Sequence, residues 1–307
     1  MSEIILHHYP ASPFSEKVRL MFGIKGLAWG SVIQPVIMPK PDLIPLTGGY
    51  RRIPVLQIGA DVYCDTQVIL AELERRYPNP SVVSGADWAV NFWADRTWFQ
   101  ASVAVIFGEI GDTIPKAFAD DREKLSGRPF DVAAMKAAAP VMKPLWRAYA
   151  GWIEDGLASS DFLGGAAPSL ADVAAWMNIW WTGAAAPAVA AELLAGFDNT
   201  LAWRDRIRAI GHGRRRAMTP AEALQAARDA TPVNAIESDL SDPSGLKPGE
   251  AAVVQADDYG RDPIAGRLVA VTRNRITLAR DGLAEDGGDL GAIHVHFPRA
   301  GYGLARA

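Results

Sequence analysis

The chain has 307 residues, 49% of them hydrophobic and 21% charged, with a formal net charge of −4. These proportions suit a folded globular protein of two ordinary domains and a smaller one, and they exclude disordered, collagen-like and coiled-coil readings. The mildly acidic balance points to no polyanionic partner, so nucleic acid is not expected, and the single cysteine, Cys64, excludes an internal disulfide and multi-cysteine metal sites.

Met1-Ser2-Glu3 leads straight into Ile4-Ile5-Leu6, without the basic start of a signal peptide. No stretch approaches the roughly 18 apolar residues of a membrane span. The expectation is a soluble protein of the reducing cytoplasm that does not engage a membrane. Residues 3–9 read as a short buried strand ended by Pro10, and residues 13–25 as a helix with Val18, Met21 and Phe22 on one face. A second strand is expected over 30–37, and the Pro-rich stretch from Met38 to Pro45 argues against a long helix. Ile53 to Ile58 and Val62 to Cys64, joined by the turn Gly59-Ala60-Asp61, form a hairpin feeding a helix from Thr66 to Tyr77. The order is β-α-β-(α)-β-β-α.

Tyr77-Pro78-Asn79-Pro80-Ser81 is a helix stop and linker, after which every periodic segment from Asp87 to about Arg228 has helical spacing. Ser169-Leu170-Ala171-Asp172 is a capping box opening an apolar, buried helix through Trp176, Ile179 and Trp180. The ten tryptophans are expected mostly to fill the core. Arg214-Arg215-Arg216 reads as the solvated basic end of a helix. Beyond Ala230 the chain turns rich in Gly, Asp and Pro, with alternating runs at 252–256, 264–271, 275–279 and 293–297. This is a small β-rich module, of marginal size alone and expected to dock on the helical domain or on a second subunit. No internal repeat is visible. The expected domains are therefore 1–80, 85–230 and 231–307.

Three separated pieces carry chemistry: Tyr9-Pro10-Ala11-Ser12-Pro13-Phe14-Ser15-Glu16-Lys17-Val18-Arg19, then Arg52-Ile53-Pro54-Val55-Leu56, then Asp65-Thr66. A hydroxyl at the first turn of a helix lies where free N–H groups and partial positive charge collect, so Ser12 there can donate to a bound thiolate. A thiol of pKa about 8.5 is only a few per cent ionised at neutral pH, and lowering that value by two units corresponds to about 2.7 kcal/mol. A cis bond before Pro54 would turn the Val55 backbone outward to pair with a peptide-like ligand. Asp65 and Thr66, opening the next helix, suit an α-amino and an α-carboxylate group. Together the pieces describe a site for a γ-glutamyl-cysteinyl peptide.

On these residues, positions 3–80 resemble the thioredoxin-like domain of glutathione transferases, and Ser169 to Asp172 resembles the capping box of their helical domain; roughly the first 230 residues are covered. The resemblance implies an α/β thioredoxin-like domain plus an all-α helical bundle, here with the β-rich tail added. It also implies glutathione as cosubstrate without a metal, a homodimer, and an open site for a small apolar electrophile, as in detoxification. Ser12 is then the catalytic hydroxyl, with Tyr9, Pro13, Phe14, Arg52, Ile53, Pro54, Val55, Asp65 and Thr66 around the peptide. The tail has no counterpart in ordinary transferases.

Other readings stand beside these. Ser12 also serves as a plain N-cap before Pro13, and Tyr9 and Ser15 are further candidate hydroxyls. Arg52 reaches the glycyl carboxylate or Asp65, or is solvated. Cys64 reads as strand-end packing, His7 and His8 as packing or surface residues, and Asp257 to Asp262 as a turn with local charge pairing. His294 and His296 share a strand face but lack further ligands for a metal. Helical spacing offers Phe92, Trp93, Arg96, Phe99 and Trp176 for the electrophile pocket. The alternatives to an enzyme are a non-catalytic binding or assembly protein acting through the tail, and a carrier of apolar ligands.

Overall fold

The structure, a computed structural model, describes residues 3–233, 237–283 and 288–307. The first part comprises β1 (Ile4–His8), α1 (Pro13–Ile24), β2 (Ala28–Ile33), α2 (Ile44–Thr47), β3 (Val55–Ile58), β4 (Asp61–Cys64) and α3 (Thr66–Arg76). Strand β1 runs parallel to β2 and antiparallel to β3, which continues antiparallel into β4. Helix α1 turns Val18, Met21 and Phe22, all fully buried, onto the sheet, where Phe22 meets Trp29 at a ring separation of 5.0 Å. Each such burial is worth about 1.5–3 kcal/mol. In the Pro-rich connection only the single turn α2 forms, stopped by Gly48 at φ 72°, a conformation open to glycine.

The helical part comprises α4 (Asp87–Trp93), a π-helical turn (Ala94–Trp98), α5 (Phe99–Ile110), α6 (Lys116–Ser126), α7 (Val132–Gly156), α8 (Leu170–Ala185), α9 (Pro187–Leu193) and α10 (Asp198–Ile210). The capping box of α8 is present: Ser169 Oγ accepts the Ala171 N–H at 3.1 Å, and Asp172 accepts the Ser169 N–H at 2.8 Å. Asp172 also accepts from the backbone of Leu163 and Gly164 and from Trp203 Nε1. A buried carboxylate is stable only when so satisfied. Trp29, Trp98, Trp146, Trp176 and Trp203 are fully buried, as core filling requires. No described helix is long and apolar enough to cross a membrane.

Two expectations about the later chain are corrected. Arg214–Ala217 is not a helix end but a strand, β5, lying parallel to β2. The Arg214 N–H bonds Leu27 and the Met218 N–H bonds Ser31, so the edge of β2 captures the segment after α10 stops at Gly211. Arg216 pairs with Glu3 at 2.9 Å and with Glu222 at 3.3 Å, and helix α11 (Pro220–Arg228) follows.

The β-rich tail, β6 (Ala251–Ala256), β7 (Ile264–Val271), β8 (Arg275–Leu283), β9 (Asp289–Pro298) and β10 (Tyr302–Arg306), does not rest on the helical domain alone. Strand β9 instead pairs parallel with β4, opposing Asp61 to His294, Val62 to Val295 and Tyr63 to His296. The result is one ten-stranded sheet of order β10-β6-β7-β8-β9-β4-β3-β1-β2-β5. The free backbone groups along β4 would otherwise form an exposed edge. Val62 and Cys64 from β4 share a core with Leu278, Ile293, Val295 and Phe297. Charges are buried across the seam. Glu72 on α3 takes Arg275 at 2.7 Å besides Arg75 and Arg76 at 2.6 Å each. Asp61 takes His296 Nε2 at 2.8 Å and the Val233 N–H at 2.9 Å.

Candidate functional site

A cleft opens where the starts of α1 and α3 converge. Phe14 of α1, Ile53 and Pro54 ahead of β3, and Asp65 and Thr66 at the head of α3 all line it. Asp95 and Arg96 of the π-helical turn close one side, and Asp258 and Tyr259 of the β6–β7 loop close another. The space enclosed between these side chains is about 30 Å³.

Ser12 is the N-cap of α1, with Pro13 at the first helical position. Its Oγ accepts the Ser15 N–H at 3.1 Å, which leaves the hydroxyl proton to be donated elsewhere. Ser12 is only 1% exposed, however, and with Tyr9 and Pro13 lies behind the lining residues rather than among them. The Tyr9 carbonyl accepts the Ser12 N–H at 3.2 Å, and its phenol is pushed up in pKa by burial. Arg19 fixes this loop from beneath, donating to Pro10 O at 2.9 Å while paired with Glu16 at 2.7 Å. Ser15 Oγ is buried without a hydrogen-bond partner among the described residues.

The Ile53–Pro54 bond is cis. Val55 is fully buried between β1 and β4, in register with His7 and Cys64, so its backbone does not reach the cleft surface in this structure. Asp65 caps α3 at φ 91°, the one described non-glycine residue with positive φ. Such a conformation costs of order 1–3 kcal/mol and persists where the surroundings over-determine it. Here Oδ1 accepts the Gln67 N–H at 2.9 Å and Oδ2 accepts the Tyr302 hydroxyl at 3.0 Å.

Arg52 is neither solvated nor paired with Asp65. It binds Asp258 and lies 4.0 Å from the centre of the Tyr259 ring. Arg96, stacked on Phe92 at 4.9 Å, pairs with Asp257 at 2.7 Å and Asp258 at 3.4 Å. Asp257 and Asp258 thus carry their charges across to two other parts of the molecule instead of pairing within the turn. The acidic turn was visible in the sequence; its partners, 206 residues away for Arg52, were not. Burial pushes the Asp95 carboxyl up in pKa, opposed by Lys17 at 2.6 Å.

Of the electrophile-pocket candidates only Arg96 lines the cleft. Phe99 stands behind Phe14 at 4.8 Å and stacks on Trp181 at 5.4 Å. Trp93 packs with Trp98 and Tyr149, and Trp176, 2% exposed, donates to Glu16. Cys64 is buried and its thiol pushed well above the usual range by burial. His7 and His8 are buried, bonded to Gln57 and Ser31 respectively, and burial lowers their pKa values to about 4 and about 3. His294 and His296 both face Asp61, and His296 Nδ1 meets Thr277 Oγ1 at 3.0 Å. No group of three or more His, Cys, Asp or Glu poised for a metal occurs among the described residues.

Residues 6–81 match the glutathione S-transferase N-terminal domain family and residues 135–206 the C-terminal domain family. Glutathione S-transferase U4 of Arabidopsis thaliana is 26% identical over 73 residues, a match spanning 24% of this chain and 33% of that protein. The solved β-etherase LigF of Sphingobium sp. strain SYK-6 shares the fold alone, at 16% identity and TM-score 0.52 over 68% of this chain and 96% of its own. A GST-like protein from Pseudomonas syringae superposes with TM-score 0.81 at 35% identity, covering 100% of both chains, tail included. Identity at that level along the whole of both chains goes beyond a shared fold, and the chain belongs to the glutathione S-transferase superfamily.

Proposed function

We propose that the protein is a glutathione-dependent transferase that activates a peptide thiol for attack on a small apolar electrophile. The observation that carries this reading is the convergence of two helix N-termini on one cleft, with Asp65 held at φ 91° on its wall. At the start of α3 a γ-glutamyl α-carboxylate finds free N–H groups, and the Asp65 carboxylate takes the α-amino group. The cysteinyl sulfur then lies toward the start of α1. The Ser12 hydroxyl, its oxygen occupied by the Ser15 N–H, donates its proton to the thiolate. That hydrogen bond and the helix end together favour the ionised thiol. The thiolate forms the new bond to the electrophilic carbon as the leaving group departs with its electron pair. With Ser12 buried, the Tyr9–Phe14 loop must yield to admit the sulfur. A homodimer in the cytoplasm, as in detoxifying transferases, completes the reading.

The test is a calorimetric titration with reduced glutathione and with S-hexylglutathione, repeated on Ser12→Ala, followed by an electrophile screen. Saturable binding, with turnover lost in Ser12→Ala by about 10-fold or more, supports the reading. Equal turnover in the variant removes Ser12 from the mechanism, and absence of binding by these ligands and by their glycyl esters alike removes the thiol site.

A further inference from the structure

Two cations face the cleft, and both are already neutralised by the extension. Arg52, whose side chain is 10% exposed, is paired with Asp258 and covered by the Tyr259 ring. Arg96 is held between Asp257 and Asp258. The loop that supplies these carboxylates is tied down at both ends: the Gly260 N–H bonds Leu125 O at 2.6 Å and the Asp257 N–H bonds Gly301 O at 3.0 Å. The remaining charges do not favour an anion. Asp65 and Asp95 face the same space, and Lys17, the cation beside Asp95, is committed to it. An incoming carboxylate must therefore displace Asp258 from Arg52 and then sit beside it, a like-charge arrangement by which sites reject a ligand. A neutral amide or ester meets no such repulsion, and an amide N–H meets Asp258 as an acceptor.

We propose, on the footing of the thiol-peptide reading above, that Asp258 is a specificity-determining residue: the cleft selects a γ-glutamyl thiol peptide whose C-terminal carboxylate is capped as an amide, an ester or an amine conjugate. The C-terminal extension thereby becomes part of the binding site. Because the enclosed space is small, the Tyr259 ring swings aside as the capped end enters.

The experiment compares S-hexylglutathione with its glycyl monoethyl ester by calorimetry on the full chain and on Asp258→Asn, with a thermal melt establishing that each protein is folded. The wild type is expected to bind the ester about tenfold more tightly than the acid, and Asp258→Asn to bring the two within about twofold by gaining affinity for the acid. Wild-type protein that binds the acid as tightly as the ester overturns the proposal, as does a preference that survives in folded Asp258→Asn. If neither ligand binds either folded protein, the thiol-peptide reading itself falls. Acid binding without ester preference leaves that reading standing and removes only the role of Asp258.

Discussion

Tyr302 on β10 donates its phenolic hydrogen to Asp65 Oδ2 at 3.0 Å. The extension therefore helps hold the strained cap of α3, the residue assigned to the ligand's α-amino group. Tyr302→Phe keeps the ring and removes this one donor. Binding of S-hexylglutathione should weaken about three- to tenfold and stability should fall by about 1 kcal/mol. Titration and denaturant unfolding read the two effects separately, and an unchanged affinity would detach Tyr302 from the site.

Ending the chain after Ala230 removes the partner of β4 and 14 of the 21 buried residues of the core that holds Leu43, Val62 and Cys64. The exposed strand edge and apolar face should give an insoluble or dye-binding product rather than an active short form. Recovery of a soluble, cooperatively melting product of residues 1–230 would contradict this.

The seam also carries buried charge. Burial alone would raise the Glu72 carboxyl, yet hydrogen bonds from Arg75, Arg275 and Arg76 hold it well below the usual carboxylate range. Arg275 is 11% exposed at its side chain, whereas Arg75 is 57% exposed, so the loss should be greater at position 275. Arg275→Ala should lower the unfolding free energy by about 1–3 kcal/mol, against under 1 kcal/mol for Arg75→Ala. Paired urea titrations of the two variants check the order.

Burial lowers the pKa of His7 to about 4 and of His8 to about 3, and lowers that of His296 as well. The unfolded chain thus binds more protons than the folded one below about pH 6.5, so the stability these residues retain as neutral groups is complete above that pH and lost as pH falls. With a slope of about 1.4 kcal/mol per pH unit for each residue, His7 and His8 should each cost about 2 kcal/mol by pH 5. Urea midpoints measured between about pH 7.5 and pH 5 should fall steadily. A flat profile would show that these imidazoles titrate normally. Glu72, with its depressed pKa, adds a loss in the same direction only below the ordinary carboxylate range.

Much of the fold was legible because its signals are local. The cap at Ser12, the proline after Ile53, the Ser169–Asp172 box and the apolar periodicity of α1 and α8 each act through residues a few positions apart. Six of the candidate site residues, Phe14, Arg52, Ile53, Pro54, Asp65 and Thr66, do meet at one cleft. What the sequence by itself determined was a thioredoxin-type domain, a helical domain and a strand-rich tail. Only the tertiary structure decided that β9 would add to β4, that Arg214–Ala217 would pair with β2, and that Asp258 and Tyr302 would enter the site. These choices depend on which sheet edge is free and on which buried carboxylate finds a cation or hydroxyl. Such partners lie more than 150 residues apart along the chain, where neither propensity nor periodicity reaches.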